Sequence, residues 1–316
     1  MPLLSVISPF LNERDTAEAF ARFVKSMSLD VRQRFGLNVE VVLVDDGSTD
    51  GSIARYRQVL EGDWRIVELS RNFGKEIALV SGVEESRGDY VLMIDADLQH
   101  PYEVCIDIIN TLLADPDLDV VYSIRADRLQ ESWSRAFGAK LFYRLINGGQ
   151  RFVIPENAGD FRVMRREAAN ALLTIRDKRR FNKGLYAWMG FRQKGILYTP
   201  DPRAAGKTKW SKLALAALSL EGITSFSAVP LRIMSAIGVI IGCAGMVYGS
   251  ELIIKVLLFG TDVPGYPSLM ASISVLGGFN LALLGLLGEY IWVTIAEVKD
   301  RPLYIVRRIH RSGPIQ

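Results

Sequence analysis

Five short runs of β-branched and aliphatic residues, at 3–9, 39–44, 65–69, 90–94 and 120–124, alternate with helix-like segments. Strands that alternate with helices build a doubly wound, mostly parallel α/β sheet with helices on both faces. Asp15 stands where it would cap a helix over 16–34, and Thr49 or Asp50 would cap the next one. Pro101 falls where a first helical turn tolerates a residue without an N–H.

With 316 residues and a formal net charge of +3, the chain has room for one large domain and a smaller appendage. Residues 231–250 carry one charge, Arg232, and 267–288 carry none; each run is long enough to cross a bilayer core of about 30 Å. The prediction is a two-helix transmembrane hairpin within 229–298, with helices over about 230–258 and about 267–296. A buried helical hairpin of a soluble protein is the competing reading. If the first helix reaches Phe259, Glu251 and Lys255 pair one turn apart. Lys299, Arg301, Arg307, Arg308 and Arg311 follow the second span, while the loop at 260–266 has Asp262 and no Lys or Arg. The positive-inside rule then predicts two cytoplasmic termini, with 299–316 a basic cytoplasmic tail. No charged n-region and cleavage site precede the first strand, so the large domain is expected to stay inside.

Between the sheet and the spans the pattern turns amphipathic. Trp133, Phe137, Leu141 and Leu145 share one face, and 210–226 is similarly apolar with Lys209 and Lys212 at its entrance. Two juxtamembrane helices, at about 131–147 and about 210–227, are expected in the membrane interface, with core-facing helices as the alternative. Gly238, Gly242, Gly245 and Gly249 recur at spacings that permit close helix approach and a homo-oligomer, although glycine is common in spans anyway. The cluster Arg176, Lys178, Arg179, Arg180, Lys183 reads as a solvated face or, at a membrane, as a contact with anionic lipid head groups or an acceptor phosphate. Nucleic acid is not an expected partner, because no recognised fold or aromatic interleaving accompanies these charges. Cys105 and Cys243 are too few for a disulfide framework or metal site.

The chemistry-bearing residues stand at the ends of the predicted strands. Asp95-Ala96-Asp97-Leu98-Gln99 directly follows the run 90–94. Ligands of open α/β sheets bind at the carboxyl ends of strands, and Mg²⁺ or Mn²⁺ is commonly held by one or two carboxylates plus substrate phosphates. Asp pairs also serve as turn formers and caps. Val44-Asp45-Asp46-Gly47-Ser48-Thr49-Asp50 is a second acidic strand end, where a carboxylate can accept from a base N–H or a ribose hydroxyl and Gly47 lets the turn pass close. An Asx turn accounts for Asp46 and Asp50 equally well. His100 is either near a metal or structural. Neither GxGxxG nor a Walker motif follows a strand, which argues against dinucleotide oxidoreductases and P-loop ATPases and leaves a diphosphate to metal and basic side chains.

The order Pro9-Phe10-Leu11-Asn12-Glu13, Val44-Asp45-Asp46-Gly47-Ser48, Asp95-Ala96-Asp97-Leu98-Gln99 and two C-terminal spans resembles the inverting glycosyltransferase family 2 that contains dolichol-phosphate mannose synthase. Ser70-Arg71-Asn72-Phe73-Gly74-Lys75-Glu76, Glu156-Asn157-Ala158-Gly159-Asp160-Phe161-Arg162 and Glu221-Gly222-Ile223-Thr224-Ser225-Phe226-Ser227 narrow the resemblance to bacterial and phage polyprenyl-phosphate (bactoprenol) glucosyltransferases. The resemblance implies a Rossmann-like, GT-A type nucleotide-sugar-binding domain over 1–228 in the cytoplasm, at a bacterial inner membrane. It implies a nucleotide-diphosphate sugar donor, UDP-glucose, a polyprenyl phosphate acceptor such as undecaprenyl phosphate, and an inverted product. By the same carry-over Pro9, Asn12, Glu13 and Asp45 line the nucleotide pocket, Asp95 and Asp97 flank Mg²⁺ or Mn²⁺, and Gln99 supports the donor end. Asp160 corresponds to the catalytic base, and Arg162, Arg203, Lys207 and Lys209 would face diphosphate or lipid phosphate. A phosphate monoester has its second pKa near 6 and hardly needs deprotonation, so Asp160 can instead orient the nucleophile or stabilise an oxocarbenium-like centre. Alternatives are transfer of mannose or another hexose, a processive polysaccharide synthase, and a non-catalytic nucleotide-sugar-binding membrane component. Against the second, the relevant loop reads Gly206-Lys207-Thr208-Lys209-Trp210 rather than QxxRW.

Overall fold

All five apolar runs are strands: β1 (Leu3–Phe10), β2 (Asn38–Asp45), β3 (Asp63–Leu69), β4 (Tyr90–Met93) and β5 (Val120–Arg125). The computed structural model describes residues 1–126, 143–144, 146–147, 152–155, 158–178, 180–199, 229–259 and 265–312. Between the strands run α1 (Ala17–Phe35), α2 (Ser52–Val59), α3 (Lys75–Glu85) and α4 (Tyr102–Ala114). They are followed by β6 (Ala158–Arg165), α5 (Arg166–Thr174), α6 (Asn182–Trp188), β7 (Gln193–Tyr198), α7 (Val229–Phe259), α8 (Tyr266–Val298) and β8 (Val306–Arg311).

The strands form one eight-stranded sheet in the order β7-β5-β6-β4-β1-β2-β3-β8. It is more mixed than the expected mostly parallel sheet. β1, β2, β3 and β4 pair parallel with one another, but β6 inserts antiparallel between β4 and β5, and β8 closes the β3 edge antiparallel. On one face α1 and α4 bury Phe20, Val24, Met27, Ile108 and Leu112 against Leu4, Val6, Leu43 and Leu92. Across the sheet α3, α5 and α6 bury Leu79, Val83, Leu172 and Leu185 against Ile7, Val42, Met93 and Met164. Removing these chains from water on both faces is the main favourable contribution to the fold.

Two cap expectations need correction. α1 starts after Thr16, not Asp15, which stays exposed, and the Thr16 hydroxyl donates back to the Glu13 carbonyl at 2.9 Å. At α2 the N-cap is Gly51, with φ +83°, while Asp50 Oδ1 accepts from the Ser52 N–H at 3.0 Å and so satisfies a helix-start donor from one residue further out. Pro101 immediately precedes α4, as its lack of an N–H allows.

The basic tail is only partly a tail. Val306–Arg311 forms β8, and Arg307 and His310 each meet Glu68 of β3 at 3.1 Å. A charged strand of this kind suits a sheet edge. α7 and α8 follow the two apolar runs, and the Lys255 ammonium stands 2.6 Å from Glu251, one turn away. Val275–Val298 of α8, with mean hydropathy 1.6 and none of it buried, is long and apolar enough to cross a membrane; the apolar part of α7, Ile233–Gly245, is shorter. Of the glycine stripe, Gly238 approaches Leu283 of α8. The expected juxtamembrane helix at 210–227 lies outside the described residues, as does most of the one at 131–147.

Candidate active site

β4 and β6 decide the geometry. They pair antiparallel with Met93 opposite Arg162, and continuing that register by two residues sets Asp95 beside Asp160. Into the gap comes Lys75, the first residue of α3, with Nζ 2.7 and 2.9 Å from the two Asp95 oxygens and 3.5 Å from Asp160 Oδ2. Burial alone would raise the Asp95 carboxyl, but the Lys75 charge and the nearby His100 ring outweigh it and hold it well below the usual carboxylate range. Asp160 is 13% exposed, and its Oδ1 is buried with no hydrogen-bond partner among the described residues. A buried carboxylate oxygen left unsatisfied is costly, which marks it as a position built for a ligand group.

Lys75 is held by a clamp from the neighbouring strand end. Asp46, buried after β2, accepts the N–H groups of Phe73 at 2.7 Å and Gly74 at 3.0 Å. Asp45, also buried, accepts the Ser48 N–H with both oxygens at 3.0 and 3.2 Å, and burial raises its carboxyl in spite of those bonds. The sharp turn that follows them requires Gly47, with φ +83°, where a Cβ would lie 2.8 Å from the Asn72 nitrogen. Asn12, at φ +55°, receives the Thr49 N–H on Oδ1 at 2.8 Å and donates its own N–H to Ser48 at 2.8 Å; Glu13 donates its N–H to Ser52. Pro9 is buried in β1 opposite Val44. Pro9, Asn12, Glu13 and Asp45 are thus gathered along two adjacent parallel strand ends.

Asp97 Oδ1 accepts the Gln99 N–H at 3.3 Å, so Asp97 and Gln99 share one turn. His100 is buried, stacked on Phe161 at 4.1 Å, with Nδ1 3.3 Å from the Tyr198 hydroxyl and Nε2 3.6 Å from Asp95. Among the described residues no three His, Cys, Asp or Glu side chains form a protein-only metal cage. Asp95 and Asp97 offer the carboxylate oxygens that a hard divalent cation takes, and the Lys75 ammonium against both Asp95 oxygens shows where positive charge is stabilised.

Residues 5–173 match the family described as Glycosyl transferase family 2. The chain belongs to that family. This glycosyltransferase is 42% identical over 306 residues to an uncharacterized glycosyltransferase of Synechocystis, covering 96% of this chain and 94% of that one. To the SfII prophage-derived bactoprenol glucosyl transferase of Shigella flexneri it is 38% identical, covering 98% of this chain and 99% of the relative. Among solved structures, glucosyl-3-phosphoglycerate synthase of Mycobacterium tuberculosis, crystallised with Mn²⁺, uridine diphosphate and glucosyl-3-phosphoglycerate, is 21% identical with a TM-score of 0.45, covering 71% of this chain and 78% of that one.

Arg162 differs from the expectation of a phosphate-facing residue. The side chain is fully buried, with its guanidinium 3.3 Å from the Tyr186 ring centre and Nη2 donating to the Gly159 carbonyl at 2.6 Å. It fixes the backbone just before Asp160 rather than reaching outward. Arg203, Lys207 and Lys209 lie outside the described residues. Two residues of the glycosyltransferase site go unassigned by sequence reasoning, Lys75 and Glu76. Glu76 accepts the Asn182 N–H at 2.8 Å, and burial, reinforced by the Asp160 charge, pushes its carboxyl up to about 8. A lysine following a glycine at a helix start, opposite two acidic strand ends, is the signal that identifies Lys75.

Proposed function

We propose that this glycosyltransferase moves glucose from a nucleotide-diphosphate donor, UDP-glucose, to polyprenyl phosphate such as undecaprenyl phosphate, with inversion at the anomeric carbon. The observation that carries the reading is 38% identity, over nearly the full length of both chains, to a relative named a bactoprenol glucosyl transferase. In this reading the gathered ends of β1 and β2, with Pro9, Asn12, Glu13 and Asp45, receive the nucleotide, and Gln99 supports the donor end. Mg²⁺ or Mn²⁺ held by Asp95 and Asp97 would neutralise charge on the departing diphosphate.

An oxygen of the lipid phosphate forms the new bond to the anomeric carbon as the bond to the nucleotide diphosphate breaks. Asp160 faces the gap with an unsatisfied oxygen, which supports a role against the acceptor or the developing positive charge of the sugar. Lys75 bridges Asp95 and Asp160 and tempers their mutual repulsion. Arg162 orients the backbone that carries Asp160.

The reading assigns 1–228 to a cytoplasmic domain at a bacterial inner membrane and α7 with α8 to a hairpin. Support comes from β8, which returns to the same sheet after α8. A segment that leaves and rejoins one sheet crosses a membrane an even number of times.

The test is transfer of radiolabelled sugar from a panel of UDP- and GDP-sugars to undecaprenyl phosphate by purified protein, with Mg²⁺ or Mn²⁺ and an EDTA control. Lipid-phase label from UDP-glucose, abolished by EDTA and lost in Asp160→Asn while nucleotide binding persists, is the expected result. Label from another donor would replace glucose, and near-wild-type turnover by Asp160→Asn would remove the role given to that carboxylate.

A further inference from the structure

Where α8 meets the catalytic domain, a cavity of about 200 Å³ is walled by one stripe of the helix, Trp292, Ile295, Ala296 and Lys299, together with Lys178 and Arg301. The spacing i, i+3, i+4, i+7 puts these four on a single face. Trp292 and Ile295 are exposed at 54% and 39% and belong to the segment apolar enough to cross a membrane. The stripe therefore passes from apolar to cationic at the helix end.

The charges differ in how they are used. Lys178 Nζ stands 2.9 Å from Asp300, and the Lys178 N–H donates to Glu297 at 2.7 Å, which ties this loop to α8. Lys299 and Arg301 form no ion pair among the described residues. Two cations outside any ion pair beneath an apolar stripe, with Glu297 and Asp300 beside them, suit a phosphate monoester on an apolar chain, which carries close to two negative charges at neutral pH. A phospholipid diester carries one on its phosphate.

The cavity lies towards the catalytic end of the sheet. β8 begins with Val306 opposite Leu69, one residue beyond the register in which Glu68 stands opposite Asp45. The loop bearing Lys178 leads to Asn182, whose N–H donates to Glu76, the residue after Lys75. We propose that the cavity at Lys178, Lys299 and Arg301 is a docking site for the monoester phosphate of the acceptor lipid, with the first part of its apolar chain along Trp292 and Ile295. The assignment rests on the acceptor class given under the proposed function.

The test uses the full chain in detergent and measures undecaprenyl phosphate binding by native mass spectrometry without donor, beside transfer kinetics with saturating donor. The double variant Lys299→Gln, Arg301→Gln should bind the lipid at least about tenfold more weakly and raise its KM by a similar factor. Its kcat and nucleotide binding should stay within about twofold of wild type, well under one tenfold step. Lys299→Arg with Arg301→Lys should restore binding, which separates charge from misfolding, and phosphatidylglycerol should compete poorly. Unchanged lipid affinity in the double variant overturns the proposal, and so does equal competition by phosphatidylglycerol, which would make the cavity a general anionic-lipid contact. Wild-type protein that neither binds nor glucosylates the lipid would overturn the underlying reading as well.

Discussion

Replacing Lys75 with Met keeps the length of the side chain and removes its charge from between Asp95 and Asp160. A pair of unit charges near 3 Å is worth roughly 5–6 kcal/mol at an effective dielectric of about 20, before any desolvation cost. Lys75 has 42% of its side chain exposed and Asp95 32%, so solvent screening and desolvation bring the net loss to about 1–3 kcal/mol. The expected fall in apparent melting temperature, followed by tryptophan fluorescence in detergent, is about 2–4 °C per kcal/mol. The pH dependence has a definite sign. A carboxyl depressed in the folded state contributes stability above its unfolded pKa, near 4, and that contribution disappears as pH falls through the folded value. Lys75→Met should therefore lose most stability at neutral pH and converge on wild type in acid. Turnover should fall on the order of 100-fold, because Asp95 and Asp160 lose the fixed positive charge that holds them together. Turnover within threefold of wild type, with melting curves that stay superimposed from neutral pH into acid, would refute the bridging role.

Three further substitutions test the residues around these strand ends. Glu76, raised to about 8 in the fold, favours the protonated form, so stability is full below its unfolded pKa near 4.3 and declines as pH rises towards 8. Glu76→Gln should remove that decline and gain on the order of a few kcal/mol over wild type at pH 8 but little at pH 5; a variant equally destabilised at both values would contradict it. Gly47→Ala puts a Cβ 2.8 Å from the Asn72 nitrogen and 2.9 Å from the Arg71 carbonyl carbon at φ +83°, backbone neighbours that cannot swing aside. It should cost about 1–2 kcal/mol in conformation alone and more through displacement of the loop that sets Lys75, lowering both melting temperature and transfer. Gly51→Ala, at φ +83° with open space around it, should show the conformational cost without the loss of transfer.

The amino-acid sequence determined the five leading strands to within two residues at either end, because each is an apolar run bounded by polar segments and buried on both faces. It also marked the acidic strand ends Asp45, Asp95 and Asp97 and both long apolar helices, features carried by local composition. β6, β7 and β8 escaped it for a physical reason. β8 is an edge strand with four cationic or imidazole side chains, Arg307, Arg308, His310 and Arg311, and its strand character comes from pairing with β3 rather than from its own residues. β6 carries Arg162 and Arg165 inward, where Tyr186, the Gly159 carbonyl and the Leu118 carbonyl receive them, so its polarity conceals its burial. Only the tertiary structure brought Asp160 beside Asp95, set Lys75 between them and turned Arg162 away from the opening. Those relations depend on an antiparallel register and on a clamp between two loops, and contacts between residues far apart in the chain leave no periodic trace in either segment alone.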